Sequence, residues 1–121
     1  MDSNDARQLI ESAIDAYFNG LRTGDSSNIP LSENVIFHSV VTGQTFTGAD
    51  KVKLFVEEFA ENIKSIDEKA KVIDGNNACV LFKWTSPLGL ELEICEHFQF
   101  EGFQISSIRP YFDPRPLFEN E

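Results

Sequence analysis

The group best placed to do chemistry in this chain is a carboxylate in apolar company. From Leu90 to Ile105 the sequence reads Leu-Glu-Leu-Glu-Ile-Cys-Glu-His-Phe-Gln-Phe-Glu-Gly-Phe-Gln-Ile. Strand side chains alternate between faces, so Leu90, Leu92, Ile94, Glu96, Phe98 and Phe100 share one side. Glu91, Glu93, Cys95, His97 and Gln99 share the other. An ionised carboxylate among Leu, Ile and Phe is costly, so Glu96 must be paired, neutralised or left facing a cavity. Its alternatives are a structural glutamate satisfied by a neighbour, or a strand end that reaches water.

Two further residues could act with it. Tyr17 lies on the apolar stripe of a helix spanning 4–23, where Ala6, Leu9, Ile10, Ala13, Ile14, Tyr17, Phe18 and Leu21 recur at helical spacing. Buried there, its hydroxyl needs a partner, and a backbone carbonyl would serve as well as a ligand. His38 sits in a β-branched strand, 35–41, whose two faces are almost equally apolar, so the pattern does not orient it. With an unperturbed pKa of about 6.5, a histidine there is either a general base or a satisfied half-buried side chain.

The elements that must position these groups follow in order. Gly24 and Asp25 end the first helix, and 25–34 is turn chemistry pinned by Ile29 and Leu31. After the His38 strand, 42–46 makes a turn and a short extended piece. Thr47-Gly-Ala-Asp50 has capping-box spacing and opens a second helix, 48–64, with Val52, Phe55, Val56, Phe59 and Ile63 on one face. Its other face, with Lys51, Glu57, Glu58, Glu61 and Lys64, is a solvated charge surface. Strands are expected over 66–73, 78–85, the central run, and 103–112, with a turn at Glu101-Gly102. Pro114 and Pro116 keep the tail from extending the last strand far.

The last strand is ambiguous. A tight Glu101-Gly102 turn sets Phe98 opposite Ile105 and puts Arg109 on the face of Glu96, where it could neutralise the acid. A slip of one residue turns Ile108, Pro110 and Phe112 inward and leaves Arg109 outside.

Composition bounds the rest. The 121 residues make one domain, 1–121, large enough for a real core. Eleven Phe against one Trp and two Tyr suit a curved sheet around an apolar interior, or plain packing. A net charge of −10 repels a phosphate backbone, so nucleic acid is not an expected partner. No apolar run approaches the roughly 20 residues that span a bilayer, so no membrane role is expected. The polar, acidic start Met1-Asp-Ser-Asn-Asp5 is unlike a signal peptide, which makes a cytoplasmic location the expectation. Cys79 and Cys95 form neither a zinc motif nor a disulfide framework, and free thiols are expected. His38 and His97 lack ligand partners at metal spacing, and no Gly-rich phosphate loop exists; neither metal nor cofactor is expected.

Helix, strand, helix and a run of antiparallel strands is an α+β order, with helices packed on one face of a sheet. Within that order, several motifs resemble the NTF2-like superfamily, in particular its SnoaL-like and ketosteroid-isomerase-like branch. They are Tyr17-Phe-Asn-Gly-Leu-Arg-Thr-Gly-Asp25, Asn34-Val-Ile-Phe-His-Ser39, Phe46-Thr-Gly-Ala-Asp50, Glu96-His-Phe-Gln-Phe100 and Ser107-Ile-Arg-Pro-Tyr-Phe112. Together they cover almost the whole chain. The resemblance implies a cystatin-like cone: a curved, mostly antiparallel sheet wrapped on two main helices, with an internal pocket.

It further implies that Tyr17 and a protonated Glu96 take the place of the isomerases' oxyanion hole, where an apolar site keeps a carboxylic acid neutral so that it can donate a hydrogen bond. His38 falls at or beside the position of the acid that moves the proton there. A lining of Phe18, Phe55, Phe59, Phe82, Trp84, Phe98, Ile108 and Phe112 is expected. Three functions follow: a non-catalytic pocket for a small apolar molecule, which is the first expectation; a cofactor-independent isomerase or cyclase with His38 as base; and a scaffold. Since this family commonly dimerises through its sheet, the resemblance implies a homodimer, with Glu91, Glu93, Cys95, His97, Cys79, Leu81 and Lys83 on the outer face.

Overall fold

The structure is a computed structural model and describes residues 3–39 and 41–118. Helix α1 spans Ser3–Thr23 and is followed by β1 (Leu31–His38), β2 (Thr45–Thr47) and helix α2 (Ala49–Ala60). Four strands then run in sequence: β3 (Ser65–Asp74), β4 (Asn77–Thr85), β5 (Glu91–Glu101) and β6 (Gln104–Tyr111). A single helical turn, α3 (Arg115–Phe118), completes them. The strands form one curved sheet in the order β2-β1-β6-β5-β4-β3. All neighbours are antiparallel except β1 and β6, which run parallel. This is the expected α+β cone. No helix among the described residues is long and apolar enough to cross a membrane.

Helix α1 buries its predicted stripe from Ile10 through Ala13, Ile14, Tyr17 and Phe18 to Leu21, whereas Leu9, expected on the same stripe, is exposed. It stops where the Gly24 amide donates to the Gly20 carbonyl at 2.8 Å, with Gly24 at φ +80, a left-handed conformation glycine adopts freely. Helix α2 departs from expectation at its start. Thr47 is the last residue of β2, and Gly48 is the N-cap, without a side-chain cap; the capping box does not form. With φ +106 and ψ 145, Gly48 makes the strand-to-helix corner by backbone freedom instead.

The β5–β6 register resolves the ambiguity through a bulge. Glu101 pairs with Gln104, so the turn residues are Gly102 and Phe103 rather than Glu101 and Gly102. Phe100 pairs with Ile105, the register shifts, and Phe98 pairs with Ile108. The extra residue lets Ile105 and Ile108 both point inward, each fully buried. Beyond the bulge Pro110 lies opposite Glu96 and Arg109 opposite His97, so Arg109 is on the outer face and does not neutralise Glu96. A second bulge interrupts β3 between Glu68 and Ala70.

The tail adds what its prolines did not predict. Instead of remaining extended, Arg115–Phe118 turn once and bring Leu117 back over the mouth of the sheet.

Candidate functional site

The alternation of β5 delivers Glu96 to the concave side, where it is 3% exposed. Its strand neighbours are Val80 on β4 and Pro110 on β6, neither of which offers a side-chain hydrogen bond. Helix α1 supplies the single polar partner: the Tyr17 hydroxyl donates to Glu96 Oε2 at 3.4 Å, a long bond, and Oε1 has none. Burial pushes the Glu96 carboxyl up to about 8, and the Tyr17 bond offsets only part of that. The Tyr17 phenol is pushed well above its ordinary value by burial first, then by the Glu96 charge and hydrogen bond. At neutral pH both groups therefore hold their protons. The Tyr17 ring is fixed by edge contacts to Phe18 and Phe98, with centroids 5.3 and 5.2 Å away.

Above this pair opens a cavity of about 280 Å³. Its wall is aromatic: Phe37 and Phe55 lie 4.3 Å apart, and Phe46, Phe55, Phe59 and Trp84 follow as stacked neighbours at 5.6–5.9 Å. The Trp84 indole N–H donates to the Asn62 carbonyl at 3.1 Å, which locks the last ring of that run. Leu92 and Ile94 of β5, on the face of Glu96, complete the side. Phe112 and Leu117 come from the tail, and the segment after β1 contributes Ser39, Thr42 and Gln44. Thr42 and Gln44 are exposed and mark the polar mouth.

The expected residues thus divide. Tyr17, Glu96, Phe55, Phe59, Phe82, Trp84 and Phe112 meet at the cavity. Phe18, Phe98 and Ile108 do not line it; each is fully buried in the core behind Tyr17, where Phe18 packs edge-on against Phe82 at 5.0 Å. His38 does not line it either. Phe37 takes the inward position of β1, paired with inward Ile108, so the next residue points out. On the outer face, His38 Nδ1 accepts from the Arg109 guanidinium at 3.0 Å. Partial burial, and then the Arg109 charge, lower the His38 pKa.

Other lining residues escaped sequence reading. Phe37 lay on a strand whose faces could not be told apart, and Phe46 in a three-residue piece too short for a period. Leu117 follows two prolines, where no pattern signals a return to the sheet. Leu92 and Ile94 were within reach, since they alternate in phase with Glu96. Among the described residues, no group of three or more His, Cys, Asp or Glu is arranged to hold a metal ion.

Solved structures of the same shape are numerous. An NTF2-like protein of unknown function from Cytophaga hutchinsonii is 22% identical, with a TM-score of 0.75 over 91% of this chain and 95% of that one. A steroid delta-isomerase from Pseudomonas aeruginosa is 15% identical, with a TM-score of 0.74 over 88% and 80%. A de novo designed protein with a curved β-sheet reaches 0.79 at 21% identity over 94% and 91%. At these identities the likeness shows the fold, which is NTF2-like. No curated protein is significantly similar to the chain. All of residues 1–121 match the family described as Domain of unknown function (DUF4904), and the chain belongs to that family, here seen on an NTF2-like cone.

Proposed function

We propose that this domain binds a small, largely apolar molecule in the cone, with Glu96 and Tyr17 as the polar anchor at its base. One observation supports the reading: Glu96 lines the cavity, is buried, and has one carboxyl oxygen without a hydrogen-bond partner, a cost to the fold that a polar ligand could offset. Binding is favoured over isomerase chemistry because, among the described residues, the lining holds no second acid or base. Tyr17 and Glu96 are its titratable groups, and the histidine expected as the base lies across the sheet. Proton transfer next to a carbonyl needs a base within hydrogen-bond reach of the carbon.

The neutral fluorescent probe N-phenyl-1-naphthylamine tests this. Saturable one-site binding is expected, weakened by about tenfold or more when Ile94→Trp fills the cavity, a loss of about 1.4 kcal/mol. His38→Ala should leave the dissociation constant within about twofold, since surface changes away from a site have small effects. Equal binding by Ile94→Trp, checked for folding by circular dichroism, would place the probe elsewhere and sink the reading.

The outer sheet face favours a second property. Ala70, Leu81, Cys95 and Tyr111 form one row across four strands, with Leu81 47% and Tyr111 48% exposed. Beside it run Val72, Cys79, His97 and Arg109, and Val72 is 62% exposed. A soft stripe of this kind suits pairing with a second copy. Light scattering at micromolar concentration should give a dimer mass that Leu81→Lys converts to monomer; a monomer mass for the parent rules the pairing out.

A further inference from the structure

The cavity is electrostatically one-sided. Of the residues lining it none is Lys, Arg or His, and its one acid has an oxygen without a partner. The same cavity is lined by ring after ring: Tyr17, Phe82, Phe112 and the stacked run from Phe46 to Trp84. Aromatic faces carry the negative part of the ring quadrupole and attract a cation within about 6 Å of the centroid. An anion is repelled by the ring faces, and by the acid once it is ionised. A carbonyl gains one hydrogen bond and nothing from the faces. A protonated amine gains from both, and the chain's net charge of −10 draws cations towards it.

Resting on the reading of the cone as a binding site, we propose that its ligand class is a small hydrophobic amine in the ammonium form. The N–H donates to the Glu96 carboxylate and the hydrocarbon body lies along the aromatic wall. Such a ligand supplies the cation that the lining lacks. It also ionises Glu96: the carboxyl proton leaves to solvent, the ammonium keeps its own, and one proton is released per ligand bound at neutral pH.

The pH dependence is therefore opposite to that of a neutral ligand. The groups facing Glu96 are few. Helix α1 presents Tyr17, β4 presents Val80, β6 presents Pro110, and β5 itself adds Ile94 and Phe98. The Cys95 thiol adjoins on the other face, raised chiefly by burial. Lys71, in the same row but two strands away on β3, is engaged with Asp15 at 3.0 Å. Glu96 thus titrates without a nearby fixed charge, at about 8.

Calorimetry with 2-phenylethylamine and its neutral counterpart 2-phenylethanol tests the proposal. The amine stays protonated throughout, as an ordinary aliphatic amine titrates near 10. Its association constant should rise about 50-fold from pH 6 to pH 8, following the ionised fraction of Glu96. Repeating the titration at pH 7 in buffers of different ionisation enthalpy should report one proton released. Phenylethanol should show no such rise, and Glu96→Gln should remove that of the amine. An amine whose binding is flat with pH, and no tighter than phenylethanol at pH 8, overturns the amine assignment while leaving the cavity a binding site. If neither compound nor the naphthylamine probe binds, both readings fall.

Discussion

Replacing Glu96 with Gln should flatten the dependence of stability on pH, and make the variant the more stable protein at pH 8. The sign follows from burial. In the unfolded chain this carboxyl ionises near its ordinary 4.5; in the fold it holds its proton up to about 8. Between those values the folded state carries the extra proton, so stability falls as pH rises. Its contribution is complete below about 4.5, declines across the window and is lost by about 8. The total is about 5 kcal/mol, on the scale of 1.36 kcal/mol for each pH unit of displacement. Gln has the same shape, can accept from Tyr17 and carries no titration. Exposed Asp25, Asp67, Glu91 and Asp113 have lowered pKa values, each through a hydrogen bond from a neighbour, and lose their small contributions at low pH in both proteins. The difference between parent and variant therefore isolates Glu96. Urea unfolding followed through Trp84, at intervals from pH 4.5 to 8.5, measures it. Parallel curves for the two proteins would mean that Glu96 is solvated or paired.

Phe98→Ala should be the most damaging single truncation near the site, at about 3–5 kcal/mol. Phe98 is fully buried two residues along β5 from Glu96, with its ring edge-on to Tyr17 at 5.2 Å and to Phe18 at 6.1 Å. Its cross-strand neighbours are Ala78 and Ile108. Alanine beside alanine leaves a hole that the sheet cannot collapse to fill. The loss also frees the Tyr17 ring, so probe binding should weaken along with stability. Phe59 provides the contrast, since it is half-buried and already faces open volume on the cavity side. Its truncation should cost about 1–2 kcal/mol, because less area is uncovered and no sealed void forms. Denaturant midpoints of the two variants test the division between core and wall, and equal losses would contradict it.

These residues show how much of the site a one-dimensional pattern can carry. Glu96 and Tyr17 were legible because each interrupts a strong period: one acid in an alternating strand, one hydroxyl on a helical stripe. Both periods survive folding because the buried face has only one way to be satisfied. His38 was not legible, since in β1 the apolar residues fall on both faces and alternation has no preferred phase. What turns it outward is pairing with β6, a contact across about 70 residues that no local signal encodes. The β6 register failed for a related reason. A bulge shifts the phase between Ile105 and Ile108, so each of the two readings of that strand holds for one half of it. Phe18, Phe98 and Ile108 were correctly apolar and inward, but sequence does not say which inward side chains stop short of the open volume. That depends on the curvature of the sheet and on the tail, where Leu117 folds back after Pro116.

The break in β3 between Glu68 and Ala70 bears on how an open sheet resists adding strands at its edges. A sheet that does not close has two rims, and each offers unused backbone donors and acceptors to any passing strand. Here one rim is β2, only three residues long. The other is β3, which is bulged and studded with Lys69 and Lys71. Interrupted register and a charged border deny an incoming strand the straight template it needs, so lateral growth towards fibrils is checked on both sides.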